Sequence, residues 1–161
     1  MRKIFFSFHY SRDILKIGQI RNAWLLPKSG HETQPFLDKA EWESIKRSGK
    51  KAIQNWIDSQ MQGTSVTVVL IGAETYKRPW VQYEITQSHK LRKGMLGIDM
   101  YGMKDLRGNY DYSQGVNPFS QHIFTDAAGR VVTYPVYSWV YNNGRDNISA
   151  WVEQAAKAAG R

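Results

Sequence analysis

The chain has 161 residues, 42% of them hydrophobic, with six tryptophans and nine tyrosines, which suits one domain with a full core and excludes a disordered polypeptide. It has no cysteine, so disulfides and thiolate metal sites are excluded. The net charge of +8 is dispersed over small clusters such as Lys46-Arg47, Lys50-Lys51 and Arg92-Lys93; with no recognised nucleic-acid motif beside it, a nucleic-acid partner is not expected, while a positive field also suits an anionic dinucleotide.

In chain order, Met1-Arg2-Lys3 and the apolar run that follows imitate a signal peptide only briefly, because His9, Arg12 and Asp13 stand where a cleavage region belongs. Nothing approaches a membrane span of about 20 apolar residues, and the expected location is cytoplasmic, with no membrane partner. Residues 3–8 form a strand of the type buried on both faces. Ser11 is a candidate N-cap for a helix through about Asn22, with Ile14, Ile17 and Ile20 spaced by three. A polar loop with Pro27, Gly30 and Pro35 leads to one long expected helix from about Ala40 to Met61, with Trp42, Ile45, Ile53, Trp56 and Ile57 on one stripe. Val66 to Ile71 is an unbroken β-branched run of central-strand character.

Pro79 suits the first position of the next helix, which is expected to reach Lys93 and stop at Gly94. Met95 to Asp99 reads as another buried strand. The segment 101–133 is an irregular, loop-rich insertion, with a hairpin expected where Phe124 and Val131-Val132 flank Asp126-Ala127-Ala128-Gly129. Tyr134-Pro135-Val136-Tyr137 suits an edge strand, because proline is confined to edges. The last helix starts near Asp146 and turns Ile148, Trp151, Val152 and Ala155 inward. Strands alternating with helices predict a single α/β domain over residues 1–161, an open parallel sheet with helices on both faces. Such sheets bind ligands beyond their strands' carboxyl ends, here Phe8-His9-Tyr10, Ile71-Gly72-Ala73 and Ile98-Asp99.

Glu84 breaks the pattern. On a wheel at about 100° per residue with Trp80 at zero, Leu91 falls near 20°, Glu84 near 40°, Ser88 near 80°, Val81 near 100° and Ile85 near 140°. The acid therefore lies within the apolar arc, and burying it requires a cationic partner, a raised pKa or a polar cavity. A structural ion pair with Arg21 or Arg12 is one reading; a functional carboxylate in a cleft is the other.

Phe5-Phe6-Ser7-Phe8-His9-Tyr10-Ser11-Arg12-Asp13 resembles the opening strand and turn of TIR domains, and Trp80-Val81-Gln82-Tyr83-Glu84-Ile85 resembles the W-x-x-x-E helix of their NAD-cleaving members. Ser65 to Gly72, Arg78 to Ile85, Asn117-Pro118-Phe119 and the tail from Tyr137 to Val152 resemble the ThsB branch of the Thoeris antiphage system. The likeness spans essentially the whole chain and implies a TIR/flavodoxin-like fold. It also implies an enzyme with NAD as substrate, no separate cofactor, and Glu84 as the catalytic carboxylate at the ribose beside nicotinamide. Trp80 would form one wall, with core packing as its alternative; Phe6, Ser7, His9 and Tyr10 would line the other, although Phe6 also suits the core and His9 a structural role. The resemblance further implies a cyclic ADP-ribose-type signal that activates the separate effector ThsA, a phage protein as trigger, and room for a homo-oligomer that completes the site. The R-D-x-x-P-G loop of animal and plant TIR domains has no counterpart in Pro27 to Asp38.

The competing reading is a non-catalytic TIR-like adaptor that senses a phage protein through segment 101–129. A flavodoxin-like nucleotide binder has only fold analogy behind it, and no Walker pattern is present. His9, His31, His89 and His122 lack ligand spacing, so no metal is expected.

Overall fold

The computed structural model describes residues 2–26, 30–111 and 113–161; Pro27 of the expected loop lies outside them. Five strands form one parallel sheet: β1 (Lys3–Ser7), β2 (Glu32–Thr33), β3 (Val66–Ile71), β4 (Gly94–Asp99) and β7 (Val136–Ser138), in the order β2-β1-β3-β4-β7. The order reverses between β1 and β3, which places a crevice at their carboxyl ends. β3 is buried along all of its length, as its run of β-branched residues, interrupted only by the equally apolar Leu70, demands.

Helices α1 (Tyr10–Leu25) and α5 (Gly144–Ala158) cover one face, burying Ile17, Ile20, Trp24, Ile148, Trp151 and Val152 against Ile4, Phe6, Val68, Leu70 and Ile98. The other face is covered by α2 (Lys39–Arg47), α3 (Lys50–Met61) and α4 (Pro79–Lys90), with Ile53 and Ile57 on Phe5 and with Val81 and Ile85 on Val69 and Met95. The antiparallel hairpin β5 (Phe124–Thr125) with β6 (Val131–Val132) completes that face, at the position expected for it.

Several boundaries differ from expectation. The single helix from Ala40 to Met61 is two helices, because Gly49 takes φ 97°, a conformation helices exclude. A capping box, Asp38 with Glu41, fixes the start of α2, each side chain accepting the other's backbone N–H at 2.8 Å. In α1 the N-cap is His9 rather than Ser11, and the helix runs on to Leu25 because Trp24 is drawn into the core. In α4 the helix ends at Lys90, not Lys93: Leu91 is exposed and Arg92 adopts φ 55°, releasing Lys93 to turn inward. The buried Lys93 ammonium donates to the carbonyls of Met61 and Thr64 and to the Thr64 hydroxyl. The short strand β2 has no apolar signature; it is held by pairing with Lys3 and Ile4 and by the Trp24 indole, which donates to the Glu32 carbonyl at 3.1 Å.

Candidate functional site

The crevice holds a cavity of about 290 Å³. Phe5, Phe6, Phe8, His9, Tyr10 and Ser11 supply its β1–α1 wall, Gln34 to Leu37 its flank, Trp42 and Trp56 its far side, and Arg78 to Val81 with Glu84 the wall from α4. A side-chain amide holds this opening apart. Beyond β2 the edge of β1 is taken over by Gln34, which accepts from Phe6 N–H at 3.0 Å and donates to Phe6 C=O at 2.7 Å. The amide thus replaces one residue of strand, and the chain is free to swing Pro35-Phe36-Leu37 outward. Phe36 then packs on Phe6 and Phe8, with centroids at 6.1 and 5.3 Å, and Arg21 lies over its ring.

Glu84 is only 6% exposed and its carboxyl opens on this cavity. The ion-pair reading fails among the described residues: Arg12 engages Asp111 and Glu74, Arg21 lies over Phe36, and no cation meets Glu84. Burial pushes its pKa well above the usual carboxylate range. The Ser7 hydroxyl pulls weakly the other way, although it falls short of hydrogen-bond geometry. The local sequence explains why the acid stays there. Val81, Ile85 and Ser88 anchor the same helix face, and the Ser88 hydroxyl bonds both Thr67 and the Glu84 carbonyl at 2.7 Å.

The expected site residues fall in different places. Trp80 is half-buried on the α4 wall, edge-on to Tyr83 at 5.6 Å, while Tyr83 donates to Asp58 at 2.6 Å. Tyr10 packs between Phe8 and Trp42 and donates to the Leu37 carbonyl. His9 lines the cavity with its pKa lowered by burial first and by Arg78 next, so it is neutral at physiological pH. Phe6 combines both expectations, 1% exposed in the core and yet touching the cavity. Ser7 does not line the cavity; it lies fully buried beneath Glu84.

Sequence reasoning missed Gln34, Phe36, Trp42, Lys46 and Arg78. Trp42 lies on the expected core stripe, and Gln34, Phe36 and Lys46 carry no local signal, being brought in by the β2 register and the break at Gly49, whereas Arg78 is the N-cap of α4 and reaches the cavity with the wall that carries Trp80 and Glu84. Arg78 and Lys46 place two cations on the cavity, beside a ring-lined hollow with one unpaired acid. That combination suits a ligand with flat rings, anionic groups and one cationic centre.

A parallel sheet with a cleft at its reversal, and a buried acid on the helix entering that cleft, defines a ligand-binding α/β domain of TIR type. Residues 5–105 match the family described as Thoeris protein ThsB, TIR-like domain, and the chain belongs to that family. It is also similar to a protein of Bacillus cereus (strain MSX-D12) named "Putative cyclic ADP-D-ribose synthase ThsB1", with 29% identity over 192 aligned positions covering 94% of this chain and 98% of that protein.

Proposed function

We propose that this chain cleaves NAD at the bond between nicotinamide and ribose and closes the remainder into a cyclic ADP-ribose-type signal. The observation that carries this reading is Glu84, an acid without a cation among the described residues, opening on an aromatic cavity. In NAD the nicotinamide ring is the missing cation, and its arrival draws Glu84 toward the ionised form. As the glycosidic bond breaks, positive charge moves to the ribose and nicotinamide departs as a neutral amine, so no general acid is needed. The carboxylate stabilises the oxocarbenium centre that develops. Trp80 offers its face to the leaving ring, and Arg78 and Lys46 answer the diphosphate. NAD folded against the aromatic walls displaces water from the ribosyl centre, which favours capture by a hydroxyl from the adenosine end of the same molecule.

The name of the Bacillus cereus relative supports the cyclising outcome. In the wider reading, the signal diffuses to the effector ThsA and a phage protein triggers its synthesis. The test is to incubate the purified chain with NAD, adding infected-cell lysate for activation, and to follow nicotinamide and cyclic product by mass. Glu84→Gln is expected to lower turnover by at least about a hundredfold. Undiminished product in that variant would sink the site. Defence against phage that survives Glu84→Gln would favour the adaptor reading instead.

A further inference from the structure

Ser7 is the last residue of β1, and the strand's period of two fixes where its side chain goes. Ile4 and Phe6 pack under α1 and α5, so Phe5 and Ser7 project from the opposite face, where Phe5 meets Ile53 and Ile57 of α3. In the sheet Ser7 pairs with Val69, which packs with Val81 and Ile85 of α4. The small side chain at position 7 thus lies beneath the turn of α4 that carries Glu84.

The Ser7 hydroxyl is fully buried, makes no hydrogen bond and does not line the cavity, so substrate does not reach it. The hydroxyls of Thr67 and Ser88 on the same face are already used, bonding each other at 2.7 Å and, from Ser88, the Glu84 carbonyl. A buried hydroxyl with no partner costs stability, and alanine at position 7 would remove that cost. The functional group beside it is the Glu84 carboxyl, whose ionised form it favours. A protonated carboxyl carries its own O–H, whereas a carboxylate can only accept. Loss of the Glu84 proton therefore turns an idle hydroxyl into a charge-assisted donor.

We propose that Ser7 is a positioning residue for Glu84, donating a hydrogen bond to its carboxylate from beneath once the acid ionises. The bond engages one carboxylate oxygen and leaves the other facing the cavity and the ribosyl centre. Its catalytic consequence rests on the NAD-cleaving reading; the bond itself belongs to the resting protein. Around Glu84, the β1–α1 wall brings His9 and Tyr10, α2 brings Lys46 and the N-cap of α4 brings Arg78. Residues 34–37 carry no charge, α3 brings Trp56 and Ile57 to the cavity, and its Asp58 is taken up by Tyr83. None of these groups bonds or ion-pairs with the Glu84 carboxyl among the described residues, so Ser7 is the donor at hand.

The test titrates the Glu84 carboxyl directly, by carbon NMR on the full chain with isotopically labelled glutamate, using Glu84→Gln to identify its signal. Ser7→Ala is expected to raise the titration midpoint by about one pH unit, a tenfold change in ionisation. Ser7→Cys fills nearly the same space with a poor donor and is expected to raise it likewise. In NAD turnover both variants should carry the same displacement. Below the wild-type midpoint kcat/KM falls about tenfold, and above the variant's own midpoint it recovers to within about threefold of wild type. Where Glu84 is protonated, Ser7→Ala should be as stable to urea as the wild type or more so. An unmoved Glu84 midpoint in both variants would overturn the proposal whatever the turnover. So would an equal loss of kcat/KM at every pH, which marks packing rather than a bond. A wild-type chain that leaves NAD intact would instead remove the catalytic reading of Glu84, and the NMR midpoint would still decide whether Ser7 bonds it.

Discussion

Asp13 offers the sharpest quantitative test of how this crevice is built. It sits in the first turn of α1, 1% exposed, with both carboxyl oxygens unpartnered and packed on the backbone of Gly72 at the end of β3. A Cβ at position 72 would stand 2.3 Å from Asp13 Oδ2, so only glycine permits the contact. Burial raises the Asp13 pKa from 3.8 to about 6, and the Asp111 charge adds to it; Lys16 and Arg12 oppose, but both are engaged with Asp111 at 2.7 and 3.0 Å. The folded state therefore retains a proton that the unfolded chain releases. Stability is highest below the unfolded value and is lost as pH rises from 3.8 through about 6. The gap of roughly 2 pKa units corresponds to a total of about 3 kcal/mol, of which about 2 kcal/mol is lost between roughly pH 4 and 7.5. Asp13→Asn keeps the shape and cannot ionise. Urea denaturation followed by tryptophan fluorescence at both pH values should show the variant gaining about 2 kcal/mol on the wild type across that interval. Parallel stability curves for the two proteins would refute an uncompensated carboxyl beneath the crevice.

Other consequences are open to direct measurement. Because Glu84 acts ionised and its pKa is raised, kcat/KM for NAD should climb with pH through a value well above the ordinary glutamate range; a profile already flat from about pH 5 upward would contradict this. Gln34→Leu removes both bonds to Phe6 and leaves two buried backbone groups unmet, costing about 1–3 kcal/mol in denaturant titrations and raising KM for NAD as the 35–37 flank loosens. An unchanged KM would mean that the amide does not hold the cavity open. Gly49→Ala forces a side chain into φ 97° and should cost about 1–3 kcal/mol; a neutral result would show that α2 and α3 can join into the single helix that the apolar stripe suggests.

Much of the architecture was legible because its signals are local. The β-branched run at Val66–Ile71, Pro79 at the first turn of α4 and the turn residues between Phe124 and Val131 each state their conformation through side-chain shape or fixed dihedrals, and each element stands where expected. Glu84 was legible too, since helical periodicity alone puts it on the buried arc. Periodicity misled where one residue outweighs a stripe: Trp42, Ile45, Ile53 and Ile57 share an apolar face, yet the backbone at Gly49 divides it.

What only the folded chain decided is which distant groups meet. Two residues of β2 settle the position of Gln34, and Gln34 settles that of the aromatic flank, a dependence that no window of sequence expresses. Glu84 gained its meaning in the same way. The sequence by itself determined that an acid faces inward; whether a cation waits there is a matter of tertiary distance, and Arg12 and Arg21 find their partners elsewhere. Burial follows from the period of a helix, whereas neutralisation depends on groups brought together across the sheet, and that difference leaves a carboxyl facing an open cavity.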